Sequence, residues 1–316
     1  IALAFVSNYL VVHLENFDFA WIAMLHIAEW NWRWMVGIGA VPAVAYLFAL
    51  LWIPESPRWL AMHERFDAAR RILVRAHGVE IAEAELEELR TSLGRETQPH
   101  EARLRDLLVP ELRAVLGVGI VVAIFQQITG ISSVLAYATV IFERAGAAGD
   151  ASFMQTVYVG LVNLVFTVLA MLLIDRVGRR PLLLIGLAGM GVSLALAAYG
   201  FTGTRGTHAT LVLVGLLGFV ASFAMSIGPV MWVLLSEIFP NRVRAIAISC
   251  VGLVNSTVCF VTQLLFPWQM ERFGAAYTFA IYGVFALLGM LLLAKILPET
   301  RGRSLEELEE SLVRHS

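Results

Sequence analysis

Charge is scarce in this chain. Of its 316 residues only 15% are Asp, Glu, Lys or Arg, while 59% are hydrophobic; an average soluble domain carries about 25% charged residues. That apolar surplus exceeds what one water-soluble core can hide, so lipid must solvate part of the surface. No run of positive charge is dense enough for a nucleic-acid surface, and none is expected as a partner. Cysteine is almost missing as well. Cys250 and Cys259 stand nine positions apart in one apolar stretch; on a helix that is about 900° of rotation and ~13.5 Å of rise, so the two cannot pair and read as packing residues. The alternation that a membrane barrel requires is absent. The seven histidines, at 13, 26, 63, 77, 100, 208 and 315, show no metal-ligand spacing. No Ser-His-Asp order or Cys-His pair points to nucleophilic catalysis. Gly186-x-x-Gly189-x-Gly191 follows no strand, which a dinucleotide fingerprint needs. No metal, no cofactor and no enzymatic activity are therefore expected. The chain opens on Ile1, inside an apolar run and without the basic region or cleavage site of a signal peptide. It reads as a fragment, or as a chain missing an upstream part.

What the sequence does have is a series of charge-free windows. Residues 1–14 form a short one. Windows 34–54, 114–142, 151–174, 181–204, 206–236, 245–270 and 273–294 each exceed the ~18–20 residues that cross a bilayer core. Lipid offers the backbone no hydrogen bonds, so these must be helices. The expected fold class is an all-α, polytopic membrane protein, with seven full spans and one short one. Short polar joints separate most of the windows. The exception is the stretch 55–113, which is long and polar. Within it, 66–76 and 80–93 read as two amphipathic segments broken at Gly78, with 94–100 as a turn or loop. In the tail, Ser304-Leu305-Glu306-Glu307 reads as a capping box opening a short helix.

Arginine sets the orientation. When the joints are assigned alternately to the two sides, 19 of the 23 Lys and Arg fall on the side that holds 55–113 and the carboxyl tail. The other side keeps only Arg33, Arg144, Arg205 and Arg272. By the positive-inside rule, residues 55–113 and the carboxyl terminus are cytoplasmic, in a multi-pass protein of the inner (plasma) membrane.

Polar side chains at membrane depth are costly and mark cavities or helix contacts. The window 114–142 holds Gln126, Gln127, Thr129, Ser132, Ser133 and Tyr137, with Gly130 among them. Adjacent amides beside a glycine suggest a helix that unwinds or bends around a polar ligand. Asn163 and Asn255 lie in the middle of their windows. Gly228-Pro229 interrupts another window, because Pro229 cannot donate to the carbonyl of Met225, and Trp232 follows one turn later. Amides supply both donors and acceptors, which suits vicinal hydroxyls, and an indole face suits the C–H face of a sugar ring. An uncharged cavity of this kind favours a neutral sugar or polyol over an ion. The plainer reading is that these groups only bond helices together. The sequon at Asn255-Ser256-Thr257 lies within a span and is expected to be silent.

Five motifs then carry a family likeness. Pro54-Glu55-Ser56-Pro57-Arg58-Trp59-Leu60 resembles the sugar porter signature of the major facilitator superfamily after its sixth helix. Gln126-Gln127-Ile128-Thr129-Gly130 resembles the motif of helix seven, and Asp175-Arg176-Val177-Gly178-Arg179-Arg180 the joint between helices eight and nine. Gly228-Pro229-Val230-Met231-Trp232, with Ser236-Glu237-Ile238-Phe239-Pro240 and Arg244, resembles helix ten. Pro298-Glu299-Thr300-Arg301-Gly302 resembles the family's ending. The likeness covers nearly the whole chain. It departs at Ser132, where the family usually has Asn, and at Ala136-Tyr137, where it has a Tyr pair; both changes shorten side chains along the cavity.

The resemblance implies a partial major facilitator fold of helices five to twelve, with helices one to four absent. Residues 1–54 would be the last two helices of the amino-terminal bundle, 55–111 a cytoplasmic helical linker, 112–297 the carboxy-terminal six-helix bundle and 298–316 a cytoplasmic tail. It implies a sugar site at Gln126, Gln127, Ser132, Asn163, Gly228, Trp232 and Asn255. It also implies a cytoplasmic gate of ion pairs among Glu55, Arg58, Asp175, Arg176, Arg179, Glu237, Arg244, Glu299 and Arg301, with pairs between the two halves breaking as the bundles rock. Transport of a monosaccharide or polyol by alternating access is the expected function. Because that mechanism needs two bundles, the chain as written is expected not to transport alone. The alternatives are a sugar-sensing receptor on a transporter scaffold and a non-transporting fragment. An intramembrane enzyme would need an acidic pair or a nucleophile inside a span, and none is visible. The family's symporters have an acid in helix one, so proton symport and facilitated diffusion both stay open.

Overall fold

The computed structural model describes residues 1–14, 24–27, 29–95, 104–147, 149–203, 208–240 and 243–297. The regular elements among them are all helical. In chain order they are α1 (Ala2–Leu14), α2 (Asn31–Ile38), α3 (Ala40–Leu50), α4 (Pro57–Met62), α5 (Phe66–His77), α6 (Val79–Arg95), a 3₁₀ turn (Leu104–Leu108), α7 (Pro110–Ile128), α8 (Ile131–Ala136), α9 (Ala138–Arg144), α10 (Gly149–Val177), α11 (Arg179–Gly200), α12 (Ala209–Met225), α13 (Ile227–Ile238), α14 (Arg244–Arg272) and α15 (Gly274–Ile296). Seven stretches are long and apolar enough to cross a membrane, and α1 is a shorter apolar helix. This matches the seven long windows and one short window of the sequence. The chain is a multi-pass helical membrane protein. The expected tail helix at 304–307 lies outside the described residues.

Two compact units divide the chain: Trp32–Glu101, and Ile1–Asn31 together with Ala102–Ser316. In the first unit, α2 and α3 bury none of their residues, so their apolar surface stays open along its length. The helices α4, α5 and α6 build a small core of their own from Leu60, Ala69, Leu73, Ala82 and Leu86. Pro57 starts α4 where its missing N–H costs nothing. Gly78, at φ 85°, ends α5 and turns the chain into α6. Arg70 Nε donates to Glu83 Oε1 at 2.6 Å across this hairpin; an exposed pair of this kind adds only about 0.2–1 kcal/mol. Of the loop expected at 94–100, Gly94 and Arg95 belong to α6, and 96–100 lie outside the described residues.

The second unit is a bundle in which α7 and α11 lie innermost. Half of the most apolar window of each is buried, against 22% for α10 and α14. α1 packs on α10, where a Cβ on Gly160 would stand 2.8 Å from the Phe5 ring. α11 and α12 approach so closely that a Cβ on Gly215 would lie 2.7 Å from Ala197 N. Gly186 faces Ser226 and Gly191 faces Leu287. The glycine series of α11 is thus a helix-packing surface, the common device where lipid supplies no hydrophobic drive between helices.

Two of the bundle's long windows are interrupted. The window 114–142 is three helices, not one. α7 stops at Ile128, Gly130 takes a left-handed φ of 84°, and α8 begins at Ile131. A second break at Tyr137 (φ −108°, ψ 17°) separates α8 from α9, and the Tyr137 ring packs on Phe266 of α14 at 5.2 Å between centroids. The window 206–236 breaks at Ser226 (φ −127°, ψ −104°). That break puts Pro229 in the first turn of α13, where it has no helical acceptor to miss.

Gly130 has a steric requirement besides its backbone one, because a Cβ there would overlap the Tyr282 ring. Gly146 is also left-handed (φ 95°) but has nothing within 4 Å of its Cβ position. Gly146→Ala should therefore lose only the backbone term, about 1–2 kcal/mol. Gly130→Ala should lose about 2–4 kcal/mol once the overlap with Tyr282 is added. Unfolding midpoints in detergent check this; equal losses would mean that the Tyr282 contact does not hold the break.

Candidate functional site

The two interruptions face one another across the second unit, and a cavity of about 380 Å³ opens beside them. It falls within the ~300–1,000 Å³ of small-molecule sites. Gln126, Gln127, Ser132, Asn163, Gly228, Trp232 and Asn255 all line it. α7 supplies the two glutamines, α8 Ser132, α10 Asn163, α13 Gly228 and Trp232, and α14 Asn255. Thr167, Ile131, Leu135, Phe223 and Pro229 complete much of the wall. Among the described residues no charged side chain borders the cavity. Among the described residues no group of three or more His, Cys, Asp or Glu is placed to hold a metal ion.

The amides form a continuous hydrogen-bonded line. Ser132 Oγ donates to Gln127 Oε1 at 2.7 Å, and Gln127 Nε2 donates to Asn255 Oδ1 at 3.3 Å. Asn255 Nδ2 donates to Gln126 Oε1 at 2.6 Å and to the Ala123 carbonyl at 3.1 Å. Gln126 Nε2 then reaches the Ile227 and Gly228 carbonyls, both at 3.2 Å, in the first turn of α13. Gln126 and Asn255 are 4% and 7% exposed, so they lie in the wall rather than on its surface. Gln127, Ser132 and Asn163 are half-buried, and Trp232 is exposed. Among the described residues neither the Asn163 side-chain amide nor the Trp232 indole has a hydrogen-bond partner, so both remain available to a ligand.

Thr167 is a wall residue that the sequence reading missed. It lies one turn beyond Asn163 and donates to the Asn163 carbonyl at 2.7 Å. The i, i+4 spacing on one helix face could have revealed it. The pairing of Tyr282 Oη with Gln269 Oε1, at 2.8 Å, was also missed. Both partners lie in or near apolar windows without a motif to single them out.

The expected gate residues are brought together only in part. Arg179 grips both carboxylate oxygens of Glu237, with Nε at 3.0 and 3.1 Å and Nη2 at 2.6 Å from Oε1. Its Nη2 also lies 3.0 Å from Asp175 Oδ1, and Nη1 donates to the Ile174 carbonyl. Gly178, at φ 99°, allows the turn that sets Arg179 back over the end of α10. This fork geometry is the strong form of a carboxylate contact. Arg244 was expected in the same network. It donates instead to the Phe239 carbonyl at 3.2 Å, closing the turn between α13 and α14. Glu55 and Arg58 belong to the other compact unit, and Glu299 and Arg301 lie outside the described residues. The pairs of Arg179 with Glu237 and Asp175 run within the second unit.

Comparison with known proteins gives the fold and the motifs their family. The pattern of the sugar (and other) transporter family matches residues 1–312. The arabinose-proton symporter of Bacillus subtilis (strain 168) is 39% identical over 286 residues, covering 89% of this chain and 61% of that protein. The D-xylose-proton symporter of Escherichia coli (strain K12) is 38% identical over 317 residues, covering 97% and 62%. Among solved structures, the proton:xylose symporter XylE bound to 6-bromo-6-deoxy-D-glucose matches with a TM-score of 0.76 at 35% identity, over 98% of this chain and 64% of that one. The chain thus spans a little over three-fifths of the length of these relatives. With its helical fold, its ordered motifs and this match along almost its whole length, the chain belongs to the sugar porter family of the major facilitator superfamily.

Proposed function

We propose that this protein carries a neutral monosaccharide or polyol across the inner membrane by alternating access, and that the cavity between the two broken spans is its sugar site. The observation that carries this reading is the wall itself, which among the described residues has no charged side chain, is built from amides, two hydroxyls and an indole, and is drawn from six helices. Such a wall can exchange donors and acceptors with several hydroxyls at once, while the exposed Trp232 face packs on the C–H face of a ring. A free cation or anion would find no opposite charge there to offset its lost hydration. The names of the relatives agree, since they include arabinose and xylose symporters. Their coupling to protons makes proton symport part of the proposal. The arginine asymmetry supports placing 55–113 and the carboxyl tail on the cytoplasmic side. The Arg179–Glu237 fork would then brace the cytoplasmic end of α11 against α13.

Binding and uptake test different parts of this reading. Gln127→Ala removes the half-buried amide that links Ser132 to Asn255, at a cost of about 1–3 kcal/mol. Trp232→Ala removes the exposed indole of the wall. Each should raise the Kd for D-xylose or L-arabinose at least about tenfold, measured by calorimetry on the purified protein in nanodiscs. Unchanged affinity in both variants would remove the site assignment.

Glu237 lies five residues beyond Trp232, about 7.5 Å farther along α13, and touches no part of the cavity. Glu237→Gln should therefore change the rate of labelled-sugar exchange across vesicles while leaving Kd within about twofold. A loss of equilibrium affinity as large as that of Gln127→Ala would argue against a gating role.

A further inference from the structure

The short helix α8 has little of its own to fix its rotation. It is six residues long, and the chain breaks at Gly130 before it and at Tyr137 after it. A segment inside a continuous span takes its rotation from the turns on either side; α8 lacks them. Nor do its serines choose. Ser132 and Ser133 are identical in chemistry and stand about 100° apart around the helix. Yet Ser132 lines the cavity and donates to Gln127 Oε1, whereas Ser133 is fully buried and adjoins the Tyr282 phenol. What decides between them lies outside α8.

Tyr282 supplies a fixed surface there. Its ring, carried by α15, covers Gly130 and leaves no room for a Cβ. Its hydroxyl donates to Gln269 Oε1 on α14 at 2.8 Å, so the phenol cannot swing away without leaving a buried donor unpaired. Phe266 stands 6.4 Å from it and carries the Tyr137 ring at 5.2 Å. Aromatic side chains of α14 and α15 thus back α8 at both of its breaks. Tyr282 itself does not line the cavity.

We propose that Tyr282 is a positioning residue for the sugar site: held by Gln269, it seats the face of α8 that is turned from the cavity, and so sets which of two adjacent serines a sugar meets. This rests on the cavity being the sugar site. The sugar then encounters Ser132, in register with Gln127, while Ser133 stays a packing contact behind it.

The test is thiol labelling on the full chain in nanodiscs, with Cys250→Ser and Cys259→Ser in every variant. Ser132→Cys should react with a water-soluble maleimide at least about tenfold faster than Ser133→Cys, because the reaction needs an accessible thiolate. Adding Tyr282→Leu should bring the two rates within about threefold of each other, since a turn of about 100° interchanges the two positions. Tyr282→Phe keeps the ring and loses only the bond to Gln269, so it should narrow the gap by a smaller factor, about two- to threefold. A gap unchanged in both variants would overturn the proposal. An equal acceleration of Leu234→Cys, at a position buried on α13, would overturn it too, because the bundle would then have loosened as a whole. Binding supplies the second readout. Tyr282→Phe should raise the Kd for D-xylose or L-arabinose about threefold; an unchanged Kd beside a narrowed gap would sever Tyr282 from the sugar site. If the chain with Tyr282 intact binds neither sugar while the gap still narrows, the sugar-site reading falls and the seating of α8 stands.

Discussion

A backbone group freed at membrane depth finds no water, and lipid offers it nothing. Each break in a span must therefore be covered by protein atoms, and the centre of this bundle is arranged around two such breaks. At Gly130 the chain leaves one helix and starts another, and the Thr129 hydroxyl returns to the Gln126 carbonyl at 3.2 Å. At Ser226 the hydroxyl returns to the Ser222 carbonyl at 2.6 Å. Between the two breaks, Gln126 spans from α7 to the first carbonyls of α13. The polar line that lines the cavity is thus also what makes a cavity tolerable, since the same amides cover the interrupted backbone and face the open space.

Close packing keeps those breaks in place. The Tyr282 ring occupies the space over Gly130 where any side chain would stand. It is tied to Gln269 and lies near Phe266, with centroids 6.4 Å apart; Phe266 in turn carries Tyr137 at the next interruption. On the opposite side, Gly186 leaves room for Ser226. Small residues and aromatic rings play complementary parts here: glycine permits an abrupt backbone turn or a close approach, and a ring or a serine fills the space it leaves. The two breaks beside the cavity, at Gly130 and at Ser226, each have a particular neighbour against them.

At the other end of α13 the forces change character. Arg179, Asp175 and Glu237 form a charged cluster at the edge of the apolar windows, where a fork of charge-assisted bonds can survive partial burial. Arg244 and Arg180 serve the backbone instead, donating to the carbonyls of Phe239 and Ala294. Arginine in this protein thus both caps helix ends and pairs with carboxylates.

How much of this was legible in the residues depends on the range of the interaction. The helical class and the seven long spans follow from composition and windowed charge, because bilayer thickness and backbone satisfaction act locally along the chain. The Gly78 hairpin and the break at Gly130 were legible too, since a glycine beside polar residues signals its own conformation. The seven cavity residues could be named from mid-span polarity and the family resemblance, yet the line of hydrogen bonds among them could not, because Gln126 and Asn255 are separated by 129 positions and nothing local says which amide end each presents. Arg244 shows the opposite failure, as its charge suggested an ion pair while the nearby turn supplied a carbonyl. Sequence alone determined that this is a helical membrane protein with polar groups in its spans. The tertiary structure decided that those groups meet in one cavity and which of them are already spoken for, because hydrogen-bond direction is set by acceptors on neighbouring helices.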